Sequence, residues 1–143
     1  MTVKMILKEK GRSVVTVLGG HTMEEATRVL QEKRIGAAIV VDAAGRVVGV
    51  LSERDIVRAI ATDGVASLSR PLREFMTREV HTCTPEDTLD SVMGKMTGRR
   101  IRHLPVMEAE RLAGIISIGD VVKMKIAASE HEAEALKQYI VAG

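Results

Sequence analysis

A chain of 143 residues, 45% of them apolar, is long enough to bury one substantial core, and with aromatics at 1% that core must be built from Val, Ile, Leu, Ala and Met. Tyr139 and Phe75 are the whole aromatic complement, which removes the stacking platforms that single-strand nucleic-acid binders use. A formal charge of +2, a sequence pI near 8.9 and no block of five or six like charges describe an ordinary surface rather than a DNA-coating one.

Cys83 is the single cysteine, so an internal disulfide and a thiolate metal cage are both excluded, and a buried structural thiol is expected. No apolar run approaches the roughly 18 residues of a membrane span, and the segment from Met1 to Met5 lacks a signal-peptide core. A reducing cytoplasm is the expected location.

In chain order, residues 3–10 read as a short amphipathic helix with Val3, Ile6 and Leu7 on one face, stopped at Gly11. Val14 to Leu18 is β-rich. Thr22-Met23-Glu24-Glu25 has the form of a capping box and opens a helix to about Arg34, with Met23, Ala26, Val29 and Leu30 inward. Ala37 to Val41 is a continuous apolar strand, Asp42 to Gly45 a hairpin turn, and Arg46 to Leu51 the returning strand. A helix follows from Ser52 to about Thr62. Residues 63–70, with Gly64, Ser67 and Ser69, read as a linker.

The pattern then repeats. Pro71 to Thr77 parallels the first short helix, and a shift of 66 carries Thr16 onto Thr82, Thr22 onto Thr88, Arg34 onto Arg100 and Val40 onto Val106. Beyond the hairpin turn the shift is 65, which one deleted turn residue explains. Gly49-Val50-Leu51-Ser52-Glu53-Arg54-Asp55 returns there as Gly114-Ile115-Ile116-Ser117-Ile118-Gly119-Asp120. Each half is about 60 residues, too few to bury a core comfortably alone, so the halves are expected to pack about a pseudo-twofold axis. Residues 129–140 predict a further helix with Leu136, Tyr139 and Ile140 as its apolar stripe.

Each Gly-h-h-Ser-x-x-Asp stretch, h being aliphatic, sits at a strand-to-helix junction. It brings a hydroxyl, a carboxylate and the free N–H groups of a helix start together, a combination able to hold a ribose and an anion. Ser-x-x-Asp at a helix start is equally a capping box, with no ligand implied. Two copies in matching contexts favour the ligand reading.

The doubled motif, the paired strand-helix-strand-strand-helix units and Arg102-His103-Leu104-Pro105-Val106 resemble a tandem cystathionine-β-synthase (CBS) domain pair, the Bateman module. The resemblance implies an α/β (α+β) fold of two pseudo-twofold-related β-α-β-β-α repeats, residues 1–66 and 67–128, followed by a C-terminal helix over 129–143. It also implies a non-catalytic regulatory module that binds adenine nucleotides in the clefts between its repeats. AMP is the first choice, with ATP, ADP, NAD(H) or S-adenosylmethionine as alternatives.

Carried over position by position, Asp55 with Ser52, and Asp120 with Ser117, are the ribose-binding residues that the resemblance implies. The family builds each cleft crosswise. One cleft would pair Ser117 and Asp120 with Thr16, Gly36, Ala37 and Ala38; the other would pair Ser52, Arg54 and Asp55 with Thr82, Arg102, His103 and Leu104. The two are unequal, because Arg102 and His103 stand where the first repeat has Gly36 and Ala37, and an arginine's planar fork suits phosphate oxygens. His103 is open to a structural reading as well. Arg99 and Arg100 end a helix, where cations suit the dipole with or without a ligand.

No paired carboxylates, metal set or nucleophile-and-base arrangement is legible, so no catalytic residue, metal or catalytic cofactor is expected. An enzyme acting on a bound nucleotide and a nucleic-acid-binding accessory protein are the rival readings. Homodimerisation is expected through Ile56, Val57, Ile60 and Val121, Val122, Ile126, as is an unknown regulated partner protein; no membrane association is expected.

Overall fold

The computed structural model describes residues 1–142, and in it the doubled sequence folds as two interlocked α/β halves. A short helix α1 (Val3–Lys10) leads. The first half then runs β1 (Thr16–Leu18), α2 (Met23–Lys33), β2 (Ala37–Val41), β3 (Val47–Ser52) and α3 (Glu53–Asp63). β1 pairs parallel to β2 and β2 antiparallel to β3. The second half runs α4 (Leu89–Arg99), β4 (His103–Glu108), β5 (Arg111–Ser117) and α5 (Ile118–Ala142), with β4 and β5 antiparallel.

The turns and caps follow from residue chemistry. Asp42 accepts hydrogen bonds from the amides of Ala44 and Arg46, both at 2.9 Å, and Gly45 supplies φ +82°. The second hairpin is one residue tighter, and Ala109 and Glu110 both take positive φ, 51° and 63°, as a two-residue hairpin loop requires. Thr22 caps α2 in a complete capping box with Glu25, and Thr88 caps α4 through the Ser91 amide.

Four expectations need correction. In the second half the expected opening strand around Thr82 shrinks to a single parallel bridge, Cys83 to Val106. In the first half the Ile39 amide donates to the Val15 carbonyl at 3.2 Å; Pro105 occupies the equivalent place and has no N–H to give. Residues 63–70 are a packed segment rather than a loose linker: Val65–Ser69 forms a 3-10 helix, and the buried Ser67 hydroxyl donates to the Gly64 carbonyl at 2.7 Å. The short helix expected over Pro71 to Thr77 is one 3-10 turn, Leu72–Glu74. The C-terminal helix is not separate. Residues 118–142 contain no proline, and after Gly119 no glycine, so α5 runs unbroken through Ala127 and Ala128.

The core forms two clusters, and each draws on both halves. Val3, Ile6 and Leu7 of α1 pack with Leu89, Met96 and Ile116 of the second half, while Leu72 and Met76 pack with Met23, Leu30 and Leu51 of the first. Backbone pairing repeats the exchange: the Val3 amide donates to Asp87, and the Leu72 amide donates to His21. Each buried aliphatic side chain contributes about 1.5–3 kcal/mol relative to exposure. The three from α1 therefore tie the halves together with an energy comparable to a small domain's whole net stability.

Candidate functional site

The glycine that opens each motif is there for closeness, not for an unusual φ. A Cβ on Gly49 would sit 2.7 Å from Met76 Sδ and 3.0 Å from the Thr77 carbonyl; one on Gly114 would sit 2.7 Å from Leu7 Cδ2. Absence of a side chain thus lets the opposite half's leading segment lie against β3 and β5. Thr77 then closes an antiparallel bridge with Val50, with N–O distances of 2.9 and 3.0 Å.

Three residues after its glycine, each motif turns into a helix through the Ser-x-x-Asp pattern. Ser52 Oγ accepts from the Asp55 amide at 3.3 Å, and Asp55 Oδ2 accepts from the Ser52 amide at 2.9 Å. Ser117 and Asp120 make the same reciprocal pair at 3.1 and 2.8 Å. The capping box allowed by the sequence is therefore formed at both junctions. One carboxylate oxygen of each acid is committed to it.

The rest of each acid's environment differs. Asp55 is 3% exposed; its Oδ1 accepts from the Thr77 hydroxyl at 3.1 Å and from Arg58 Nη1 at 3.3 Å. Asp120 is more open, and its added partner is a charge: Lys10 Nζ donates to Oδ2 at 2.7 Å and to the Ile115 carbonyl at 3.0 Å. Burial alone would raise the Asp120 pKa, but the Lys10 ammonium and the Ser117 amide outweigh it and hold the carboxyl below its ordinary value.

Beside Asp55 lies a cleft of about 270 Å³. Ser52, Arg54 and Asp55 of the first half line one side of it, and Arg102 and His103 of the second line the other, so five of the residues expected together are together. The remaining two are not part of the lining. Leu104 is fully buried in the core opposite Ile116, and the Thr82 carbonyl is taken by Lys95 Nζ at 2.8 Å. Gly36, expected across from Asp120, lines the Asp55 cleft, where a Cβ would lie 3.4 Å from the His103 ring. Ala37 and Ala38 are buried and pair with Ser52 and Leu51, and Thr16 is exposed at the start of β1.

Several lining residues escaped sequence reasoning. Thr77, Glu79 and His81 enter from the segment after the crossed-over 3-10 turn, a placement that only the exchange between halves reveals. Arg100, set aside above as a helix-end cation, also lines the cleft. It caps α4 in the left-handed region at φ 55°, as Arg34 does on α2 at φ 54°, and the shift of 66 that joins them was the available signal.

Arg54, Arg58, Arg100 and Arg102 share the cleft lining with Glu53, Asp55 and Glu79, a mixed wall suited to a ligand with both a hydroxylated and an anionic part. Burial, with Lys10 and Arg102 adding to it, pushes the His103 pKa down against the pull of Asp120 and Glu53, so its imidazole is neutral at pH 7. Among the described residues no group of three or more His, Cys, Asp or Glu is placed to hold a metal ion, and no helix is long and apolar enough to cross a membrane.

Comparison with known proteins brings in relatives of the same organisation. A CBS-domain-containing protein from Agrobacterium tumefaciens, ATU1752, is 49% identical with a TM-score of 0.85, over 87% of this chain and 92% of that one. The CBS domain pair of protein MJ0100, solved in complex with 5′-methylthioadenosine and S-adenosyl-L-methionine, is 27% identical with a TM-score of 0.80, over 90% of this chain and 98% of that one. A CBS domain protein from Pyrobaculum aerophilum, PAE2072, complexed with AMP, is 28% identical with a TM-score of 0.75, over 84% and 89%. The CBS domain profile itself matches residues 10–62 and 72–126. One match falls on each half of a fold whose halves complete each other's cores through α1 and residues 71–77, and on that evidence the chain belongs to the CBS domain family.

Proposed function

We propose that this protein is a non-catalytic regulatory module that binds an adenine nucleotide, AMP first, in the Asp55 cleft, and signals the nucleotide level to a partner protein. The observation that carries the reading is the meeting of Ser52 and Asp55 with Arg102 and His103 across the junction of the halves. A ribose diol needs a fixed acceptor, and the rigid capping box supplies one. A phosphate needs donors, which Arg102 and Arg100 can offer as planar forks. Family relatives solved with AMP and with S-adenosylmethionine support an adenosine-containing ligand.

Because the cleft is walled by both halves, a ligand that pulls on both changes how they sit, which is the change a partner could read. The Asp120 junction is the second, weaker place, since a sugar there competes with Lys10. Location in the cytoplasm and homodimer formation, through Val57 and Ile60 of α3 and Val122 and Ile126 of α5, belong to the same reading. Those four side chains are exposed while Ile56 and Val121 beside them are buried.

An adenylate has about 23 heavy atoms, and at ~0.3 kcal/mol per atom its binding energy is on the order of 7 kcal/mol, a dissociation constant near 10 μM. At a hundred times that concentration a ligand adds about 2.7 kcal/mol to stability. Melting curves with AMP, ATP, NADH and S-adenosylmethionine should therefore rise for at least one of them, and rise less in Arg102→Gln. No shift with any of the four rejects the proposal.

A further inference from the structure

α5 is far longer than its fold requires. Its first turns carry buried Val121 and half-buried Met124, but from Ser129 to Ala142 every residue is exposed, so about 20 Å of helix projects from the body at 1.5 Å per residue. That projecting part is not polar all round. Leu136 is 59% exposed, Tyr139 77% and Ile140 66%. A solitary helix of this length is marginal in water, and an apolar stripe along it is a further cost.

The stripe has a period. Val122, Ile126, Ser129, Ala133, Leu136 and Ile140 are spaced alternately by four and three, the heptad seam of a coiled coil. The β-branched Ile126 and Ile140 fall at position a and Leu136 at d, the assignment that favours two parallel strands. The flanking charges agree: in a parallel pair Lys125 faces Glu130 of the other helix, and Glu132 faces Lys137. Among the described residues neither Glu132 nor Lys137 has an ion-pair partner within its own chain, whereas Lys125 bonds Asp90.

We propose that the projecting half of α5 pairs in parallel with the same helix of a second copy, in register through Ile126, Ala133, Leu136 and Ile140. The pairing continues from Val122 and Ile126, which wall an apolar groove with Met93. It does not depend on nucleotide binding.

Two experiments on the full chain test it. Sedimentation of Leu136→Glu/Ile140→Glu should give a dimer dissociation constant at least tenfold above wild type, with the melting temperature of the body retained because both side chains are exposed. Glu132→Lys alone should weaken the dimer, and adding Lys137→Glu should restore it. Leu136→Cys should cross-link into a disulfide dimer under mild oxidation, since parallel register sets the two copies of position 136 face to face while Cys83 is buried. A monomeric wild type, an unchanged dissociation constant in the double glutamate variant, failure of the charge swap to restore association, or no cross-link would each overturn the pairing.

Discussion

Replacing Thr77 by valine keeps its shape and removes one hydroxyl. That hydroxyl is the crosswise hand on Asp55, donating to a carboxylate that is 3% exposed, at 3.1 Å to Oδ1. Asp55 keeps the Ser52 amide and Arg58 as donors, but the tie from the opposite half is lost. A hydrogen bond to a charged group contributes about 1.5–3 kcal/mol, so Thr77→Val should lower stability by that amount and the melting temperature by roughly 3–12 °C. Thr77→Ser, which keeps the donor, should lose far less. Urea and thermal unfolding measure both. In an Asp55→Asn background the Thr77→Val penalty should shrink, because the carboxylate's charge is gone. A loss below about 0.5 kcal/mol, or the same loss in both backgrounds, would refute the view that the second half holds the first half's motif acid.

The remaining predictions concern packing, the buried thiol and pH. Gly49→Ala should cost about 1–3 kcal/mol, and more than Gly114→Ala, because its new methyl meets the bridged Thr77 carbonyl as well as a flexible Met76, whereas Gly114 faces the movable Leu7 side chain; chemical denaturation of the pair would show the order. Cys83, whose thiol burial and then Asp87 push up to about 12 against the pull of Lys95, should not react with a thiol reagent at pH 8 until the fold is opened, and prompt reaction of the native protein would contradict its placement. His103 is lowered from 6.5, so the unfolded chain binds the extra proton first, and stability should fall as pH drops below about 6.5; His103→Gln should flatten that part of the pH–stability curve. Asp120 is depressed, so its contribution is present above its unfolded pKa near 3.8 and is lost as pH falls through the folded value; Lys10→Met should reduce this acid-side loss.

The local chemistry of the fold could be read directly from residue order. Thr22 and Glu25, Asp42 and Gly45, and the two Ser-x-x-Asp junctions each act within four residues, so their structures are written in neighbouring side chains. The exchange of leading segments was not legible. Val3, Ile6 and Leu7 show which face is apolar but not which half it covers, and Thr77 gains its role only because Leu72 anchors its segment in the opposite core. Pro105 was visible, yet its effect is felt on the neighbouring segment around Cys83, some 22 residues earlier in the chain. The inequality of the clefts was read from Arg102 and His103. Lys10 adds to it through a contact across 110 residues that no periodicity announces.

Calorimetric titration of AMP into the wild type and into Asp55→Asn tests the central claim most directly. The account predicts a dissociation constant on the order of 10 μM for the wild type. It predicts at least a tenfold loss when the acceptor carboxylate becomes an amide, with the variant still folded. Equal affinity in the two proteins, or no heat of binding in either, would contradict it.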